Sequence, residues 1–169
     1  MKILIKGPAG SGKSTLGKIL SRYYNIPVLH LDSVYWLPEW KNRSDEEFNE
    51  IVLKFMNDNE SWIIEGNYTR IAPSRDQEAD TTYILDYNRF ACLKSVIKRY
   101  KQSKGKIRED LGLEDKLDWD FISWILFKGR TKKQRDRIKW MIKHNRNVIV
   151  FKNRRKLNKY LKENKMIGD

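Results

Sequence analysis

Residues 7 to 14 read Gly7-Pro8-Ala9-Gly10-Ser11-Gly12-Lys13-Ser14, a complete G-x-x-x-x-G-K-[ST] phrase followed by Thr15. No other feature limits the fold so tightly, because the phrase works only between a strand and a helix. The glycines let the backbone curl until successive N–H groups face one anion, where a Cβ would obstruct. The first turn of the following helix adds its partial positive charge. In that arrangement Lys13 reaches the β- and γ-phosphates of a nucleoside triphosphate, and the Ser14 hydroxyl is a ligand for Mg²⁺. A random chain of this length matches the phrase in under roughly 1% of cases. Residues 7 to 15 are therefore expected to bind ATP with magnesium.

The flanking sequence meets the demand. Lys2 to Lys6 is a short aliphatic strand, and Lys13 to Tyr24 reads as a helix with Leu16, Ile19, Leu20 and Tyr23 on one stripe. Strand-like and helix-like segments then alternate, which predicts a mainly parallel sheet covered on both faces. Val28 to Leu31, Trp62 to Glu65, Thr82 to Asp86 and Val148 to Phe151 are the further strands. Ser44 and Glu47 form a capping-box pair ahead of Phe48, Ile51, Val52, Phe55 and Met56, spaced as one helix face. Phe90, Leu93, Ile97 and Tyr100 predict another helix, Lys132 to Lys143 a third, and Leu157, Tyr160 and Leu161 mark a basic last one. From about Gln102 to Gly129 the periodicity fades around Gly105, Gly112 and the aromatics Trp119, Phe121, Trp124 and Phe127, as expected of a lid or binding loop. No repeat or linker divides the chain, so residues 1 to 169 are expected to form one domain.

Charge is unevenly placed. Residues 1 to 87 carry 10 Lys and Arg against 13 Asp and Glu, whereas residues 88 to 169 carry 25 against 9. The second half is thus suited to phosphates, on nucleotides or on nucleic acid, or is a solvated basic face. The single cysteine, Cys92, cannot form an internal bridge and reads as core in a reducing compartment. No apolar run approaches the roughly 20 residues of a membrane span. Met1 leads straight into a strand-like segment, with no room for a signal peptide. A cytoplasmic monomer is the expectation.

The chain resembles the adenylate-kinase-related P-loop kinases through its first strand, its glycine loop and Trp62-Ile63-Ile64-Glu65-Gly66. Within them it is similar, over nearly its whole length, to bacterial proteins named DNA topology modulation proteins. Ile26-Pro27-Val28 with His30-Leu31-Asp32, Ser61 to Tyr68, and Ala79-Asp80-Thr81 carry that likeness. The resemblance implies an α/β fold with a five-stranded parallel sheet in the order 2-3-1-4-5. It also implies an acceptor-side insertion near residues 32 to 60 and a lid near 103 to 130.

Several residues could carry phosphoryl transfer. Asp32-Ser33-Val34-Tyr35 is similar to the Asp-Ser-Phe-Tyr phrase of uridine-kinase-type enzymes. A carboxylate there orients or deprotonates an acceptor hydroxyl, and the competing reading is a turn or capping aspartate. Glu65, closing a strand, is the preferred partner of Ser14 at the metal, ahead of Asp86. Adenylate kinases carry Asp-Gly-(aromatic)-Pro-Arg where this chain has Glu65-Gly66-Asn67-Tyr68-Thr69-Arg70, so an AMP acceptor is weakly supported. Tyr35, Asn67, Tyr68 and Arg70 are candidate acceptor contacts. Among the lid arginines Arg99, Arg108, Arg130 and Arg135, the first choice to meet charge developing on the moving phosphoryl is Arg130, then Arg135. Trp36, Trp40, Trp119 and Trp124 are expected to pack rather than to stack on a base. The expected activity is transfer from ATP to a nucleoside- or nucleotide-like small molecule. The alternative is an ATP-using protein associated with nucleic acid or acting on polynucleotide ends, for which no recognition module is visible.

Overall fold

The computed structural model describes residues 1–168. The chain runs β1 (Lys2–Lys6), α1 (Lys13–Tyr24), β2 (Val28–His30), α2 (Leu31–Tyr35), β3 (Trp36–Leu37), β4 (Lys41–Asn42), α3 (Asp45–Asp58) and β5 (Trp62–Glu65). It continues through α4 (Ser74–Glu78), β6 (Thr81–Leu85), α5 (Arg89–Ser103), α6 (Trp119–Leu126), α7 (Lys132–His144), β7 (Val148–Phe151) and α8 (Arg154–Glu163). Five strands form a parallel sheet in the order β2-β5-β1-β6-β7, and β3 and β4 pair as a separate antiparallel hairpin. With that hairpin set aside, the order is the expected 2-3-1-4-5.

Period-two alternation along β1 sorts the core. Ile3 and Ile5 point to one face, where Leu16 and Leu20 of α1, Cys92 and Val96 of α5 and Leu157 and Leu161 of α8 pack over them. Leu4 points to the other, with Trp62 and Ile64 of β5 and Phe48, Val52 and Met56 of α3. Each aliphatic side chain so buried is worth about 1.5–3 kcal/mol. Both faces being covered explains why Ile3 to Ile5 of β1 and Trp62 to Ile64 of β5 are unbroken apolar runs. Lys6 shares the face of Leu4 and is buried among charges instead.

Local signals explain the helix starts. Ser44 accepts from Glu47 N at 3.2 Å and starts α3 where the capping pair predicted. Asn88, Asp118, Thr131 and Asn153 cap α5, α6, α7 and α8 in the same way. Several sequence expectations need correction. The second strand stops at His30 rather than Leu31, which puts Asp32 in the first turn of α2. The expected lid is not loop throughout, since α6 lies inside it. In α5 Cys92 is core as expected, but Val96 is the other fully buried position, while Phe90 is 68% exposed. Trp36 and Trp40 pack edge-on at 5.4 Å as expected, but Trp119 is 83% exposed and Trp124 is also exposed.

Candidate active site

The phosphate loop spans the gap between β1 and α1 in a conformation that demands its glycines. Gly10 has φ +78°, and a Cβ there would lie 2.5 Å from the Cys92 carbonyl oxygen. Gly12, the residue capping α1, has φ +93° and offers no side-chain cap. The first-turn amides of α1 are left to an outside acceptor, which is how such a helix end takes a phosphate. Ser11 N donates to Pro8 O at 3.2 Å, and Lys13 Nζ rests near the same carbonyl at 3.4 Å. Among the described residues this distant carbonyl is the hydrogen-bond partner the lysine has.

Asn67 braces the loop from the neighbouring strand end. Gly7 N donates to its Oδ1 at 3.1 Å, and its Nδ2 donates to Gly7 O at 2.9 Å. This pair extends the β1–β5 ladder by one side chain and uses both ends of the amide. Asn67, an exposed residue, thus supports the loop with both ends of its amide. Asn67→Ala is expected to cost about 1–3 kcal/mol through two lost hydrogen bonds and to weaken ATP binding as Gly7 loosens. Chemical denaturation and a nucleotide titration check it.

Ser14 Oγ donates to Glu65 Oε1 at 2.9 Å, and His30 Nδ1 lies 3.0 Å from that same oxygen. Glu65 is 1% exposed, and its Oε2 has no hydrogen-bond partner among the described residues. A buried, half-satisfied carboxylate beside a serine hydroxyl at the phosphate loop suits a hard divalent cation, which prefers oxygen ligands and keeps some of its own water. Asp86, the competitor, sits on the far side of β1 and bonds Lys152 at 2.5 Å.

On the acceptor side Tyr68 OH donates to Asp32 Oδ1 at 2.7 Å. Burial, then the Asp32 charge, pushes the Tyr68 phenol far above its ordinary pKa, so it stays a donor. Tyr35 packs on Tyr68 at 4.9 Å and on Phe48 at 5.5 Å, which fixes the wall behind Asp32. Arg70 is not brought to this group: it is 79% exposed and pairs with Asp45 at 3.2 Å. A short exposed loop after β5 carries it outward, where solvent competes for its charge.

The lid arginines divide. Arg130 donates to Tyr87 O at 2.9 Å and Ile125 O at 3.1 Å, and reaches Cys92 Sγ at 3.3 Å. The Cys92 carbonyl abuts Gly10, so Arg130 is anchored one layer behind the glycine loop. Arg135 is exposed and donates to the Arg130 carbonyl at 2.9 Å. Arg108 is half-buried in a network with Asp110 at 2.5 Å and Asp115 at 3.1 Å, the latter also gripped by Arg99 at 2.7 Å. Burial alone would raise the Asp110 pKa. The Arg108 hydrogen bond and charge, helped by the Ser14 hydroxyl, hold it below the ordinary value instead. Glu109 next to it pairs with Lys18 of α1. The lid segment thus lies against the start of α1, with Arg108 and Asp110 beside Ser14. Sequence reasoning did not single out Asp110, because an acidic residue in an aperiodic stretch carries no spacing signal.

No protein-family model matches the chain. It is 57% identical over 35 residues to a cytidylate kinase of Aquifex aeolicus, 21% of this chain and 16% of that protein. It is 40% identical over 67 residues to the uncharacterised protein YqaC of Bacillus subtilis, 38% of this chain and 36% of that one. The matched stretches therefore span about a third of one curated relative, or less. Solved structures align almost end to end. A shikimate kinase from Bacteroides thetaiotaomicron superposes with a TM-score of 0.52 at 17% identity, covering 98% of this chain and 96% of its own. A deoxyadenosine kinase from M. mycoides gives 0.50 at 14% identity, covering 98% of both. The sheet order, the glycine loop between β1 and α1, and these superpositions agree: the fold of this chain is the P-loop kinase fold.

Proposed function

We propose that this chain transfers the γ-phosphoryl group of ATP to a hydroxyl or phosphate oxygen of a small-molecule acceptor, nucleoside-like or nucleotide-like. The observation that carries the reading is one convergence. The uncapped start of α1, the Ser14–Glu65 pair and the Asp32–Tyr68 pair surround the end of β1, and Asp32 and Glu65 both act electrostatically on Tyr68. Fold likeness supports the reaction class and says nothing of the acceptor. The likeness to the DNA topology modulation branch rests on sequence phrases and also names no substrate.

The chemistry follows from charge. Phosphoryl transfer needs alignment of the attacking and leaving oxygens and stabilisation of negative charge on the moving group. The loop amides and Lys13 take the β- and γ-phosphates, with Lys13 leaving its weak contact to Pro8 O. Ser14 and Glu65 would hold magnesium, which when bound offsets charge on the phosphate oxygens. Asp32, kept in place by the Tyr68 hydroxyl, accepts the proton of an acceptor hydroxyl or orients it for attack. Arg108 and Arg130 add positive charge from the lid side, and closing that lid excludes water that would otherwise take the phosphoryl.

The test is incubation with γ-labelled ATP, magnesium and a panel of nucleosides, nucleoside monophosphates and hydroxy acids. Labelled product from at least one panel member, absent without magnesium, is expected. Saturable ATP binding without a labelled product, and with hydrolysis no faster than in Lys13→Ala, would sink the kinase reading.

A further inference from the structure

Beneath the phosphate loop, on the face of the sheet that carries Leu4, lies a group of charges that the proposed reaction does not use. Lys6 ends β1 one residue before the loop and is 3% exposed. Its Nζ is 3.4 Å from Asp76 Oδ1, and Asp76 Oδ2 accepts from Arg137 of α7 at 3.0 Å. Arg75, on α4 with Asp76, is fully buried. Its Nη2 donates to Tyr68 O at 2.5 Å and lies 3.4 Å from Asn67 O. Lys6 and Arg137 therefore flank the Asp76 carboxylate, and the Arg75 charge acts on all three from beside them.

The donors are also under-used. Lys6 Nζ, Arg75 Nε and Nη1 and Arg137 Nε are buried without a hydrogen-bond partner among the described residues, four donor atoms against one acceptor, Asp76 Oδ1, in the same state. Burying uncompensated charge costs several kcal/mol per ion, and orphan donors add to that cost. Water could satisfy the donors but would leave the charge imbalance. An oxyanion does both, because its oxygens accept from several N–H groups at once and its charge offsets the surplus. Arg137, its side chain 37% exposed, is the edge of the cluster that meets solvent.

We propose that Lys6, Arg75 and Arg137 form a second oxyanion site, distinct from the glycine loop, that takes a phosphate or carboxylate group. The source is either a free anion or the anionic group of the acceptor. The acceptor is the favoured source, because Arg75 holds the carbonyls of Asn67 and Tyr68 and so lies directly under the acceptor side. Protonation supplies a signature. Burial, then the Arg75 charge, lowers the Lys6 pKa to about 7, against the opposing pull of Asp76, and Arg137 lowers it further. At pH 8 most Lys6 side chains are therefore neutral, and an arriving anion draws a proton onto them.

The experiment is calorimetric titration with inorganic phosphate at pH 8, in two buffers of different ionisation enthalpy. It is run on the wild type, Lys13→Ala, Lys6→Met and Arg137→Gln. Lys13→Ala disables the glycine loop, which also binds phosphate. The expected result is an uptake that persists in Lys13→Ala, is accompanied by proton binding, and is weakened at least tenfold in both Lys6→Met and Arg137→Gln. A nucleoside monophosphate and its unphosphorylated nucleoside separate the sources. Competition by the monophosphate alone assigns the site to the acceptor, and phosphate binding without such competition assigns it to a free anion. No uptake in Lys13→Ala, or uptake undiminished in both Lys6→Met and Arg137→Gln, overturns the site. Lys6→Met breaks the buried Lys6–Asp76 ion pair, whereas Arg137→Gln keeps an amide N–H for Asp76 at a partly exposed position, so Arg137→Gln is expected to fold even if Lys6→Met does not. The proposal goes beyond the kinase reading and fails separately from it: phosphate uptake with no transfer to any acceptor would refute transfer alone.

Discussion

Lys13→Ala is expected to lower phosphoryl transfer by about 10³-fold while leaving the melting temperature almost unchanged. The two halves of this result have different causes. Among the described residues Lys13 Nζ hydrogen-bonds Pro8 O alone, at 3.4 Å, so its removal leaves no buried side chain unpaired. A partly exposed side chain with one weak hydrogen bond contributes no more than about 0.5–1 kcal/mol to folding. With the triphosphate bound, the same ammonium faces charge that builds on the transferring group inside a site poor in water. Deleting one such preorganised donor costs about 3–4 kcal/mol, or 10²–10³ in rate, and a full positive charge belongs at the upper end. Steady-state kinetics and thermal melting read the two halves separately. A variant that melts well below the wild type would mean that Lys13 supports the loop instead of the reaction, and equal rates would remove it from the mechanism.

The parts of this site that sequence displayed are those where local chemistry and global position coincide. Gly10 and Gly12 sit at positive φ because the loop must turn its amides inward, and glycine spacing announces that turn. Leu16, Ile19 and Leu20 keep a helical stripe because α1 packs one face on the sheet, although Tyr23, read as part of it, is exposed. Glu65 was legible as the last residue of an apolar run. The rest depended on partners far away in sequence. Asn67 looked like an acceptor contact, and only the return of β5 beside β1 shows that Gly7 occupies both ends of its amide. Arg75 lies in α4, a five-residue helix with no apolar stripe, so nothing in its neighbourhood signalled complete burial. One signal was available for its cluster. Lys6 stands at a core-facing register position of an otherwise aliphatic strand, and a buried lysine requires charged company. On α5 the reading of Cys92 as core holds, but the apolar stripe takes in Phe90, which is exposed, and misses Val96, which is buried. Space beneath that helix is limited by the glycine loop, where Gly10 meets the Cys92 carbonyl and Val96, and the smaller side chains fit there. Composition alone could not place the aromatics of the lid. Asp118 starts a helix that buries Ile125 and leaves Trp119 outward.

Asp32→Asn separates the two readings of that aspartate most sharply, since the amide keeps the shape and can still accept from the Tyr68 hydroxyl. If Asp32 only closes the start of α2, asparagine serves nearly as well and turnover stays near the wild-type level. If Asp32 accepts the acceptor's proton, the amide cannot, and kcat falls by about 10²–10⁴ with ATP affinity preserved. The second outcome is expected. The Tyr68 hydroxyl bond of 2.7 Å and the packing of Tyr35 hold Asp32 in one place, beyond what a solvated turn requires. Tyr68→Phe isolates that positioning. The ring stays packed against Tyr35 and Phe48, and only the donor to Asp32 is lost. A hydrogen bond to a charged group is worth about 1.5–3 kcal/mol, so turnover is expected to fall by roughly 10- to 100-fold, less than for Asp32→Asn. In the double variant the losses should not add, because a tyrosine that acts through Asp32 has nothing to position once the carboxylate is gone. Additive losses would instead mean that Tyr68 touches the acceptor directly, and a fully active Asp32→Asn would move the proton-accepting role off Asp32.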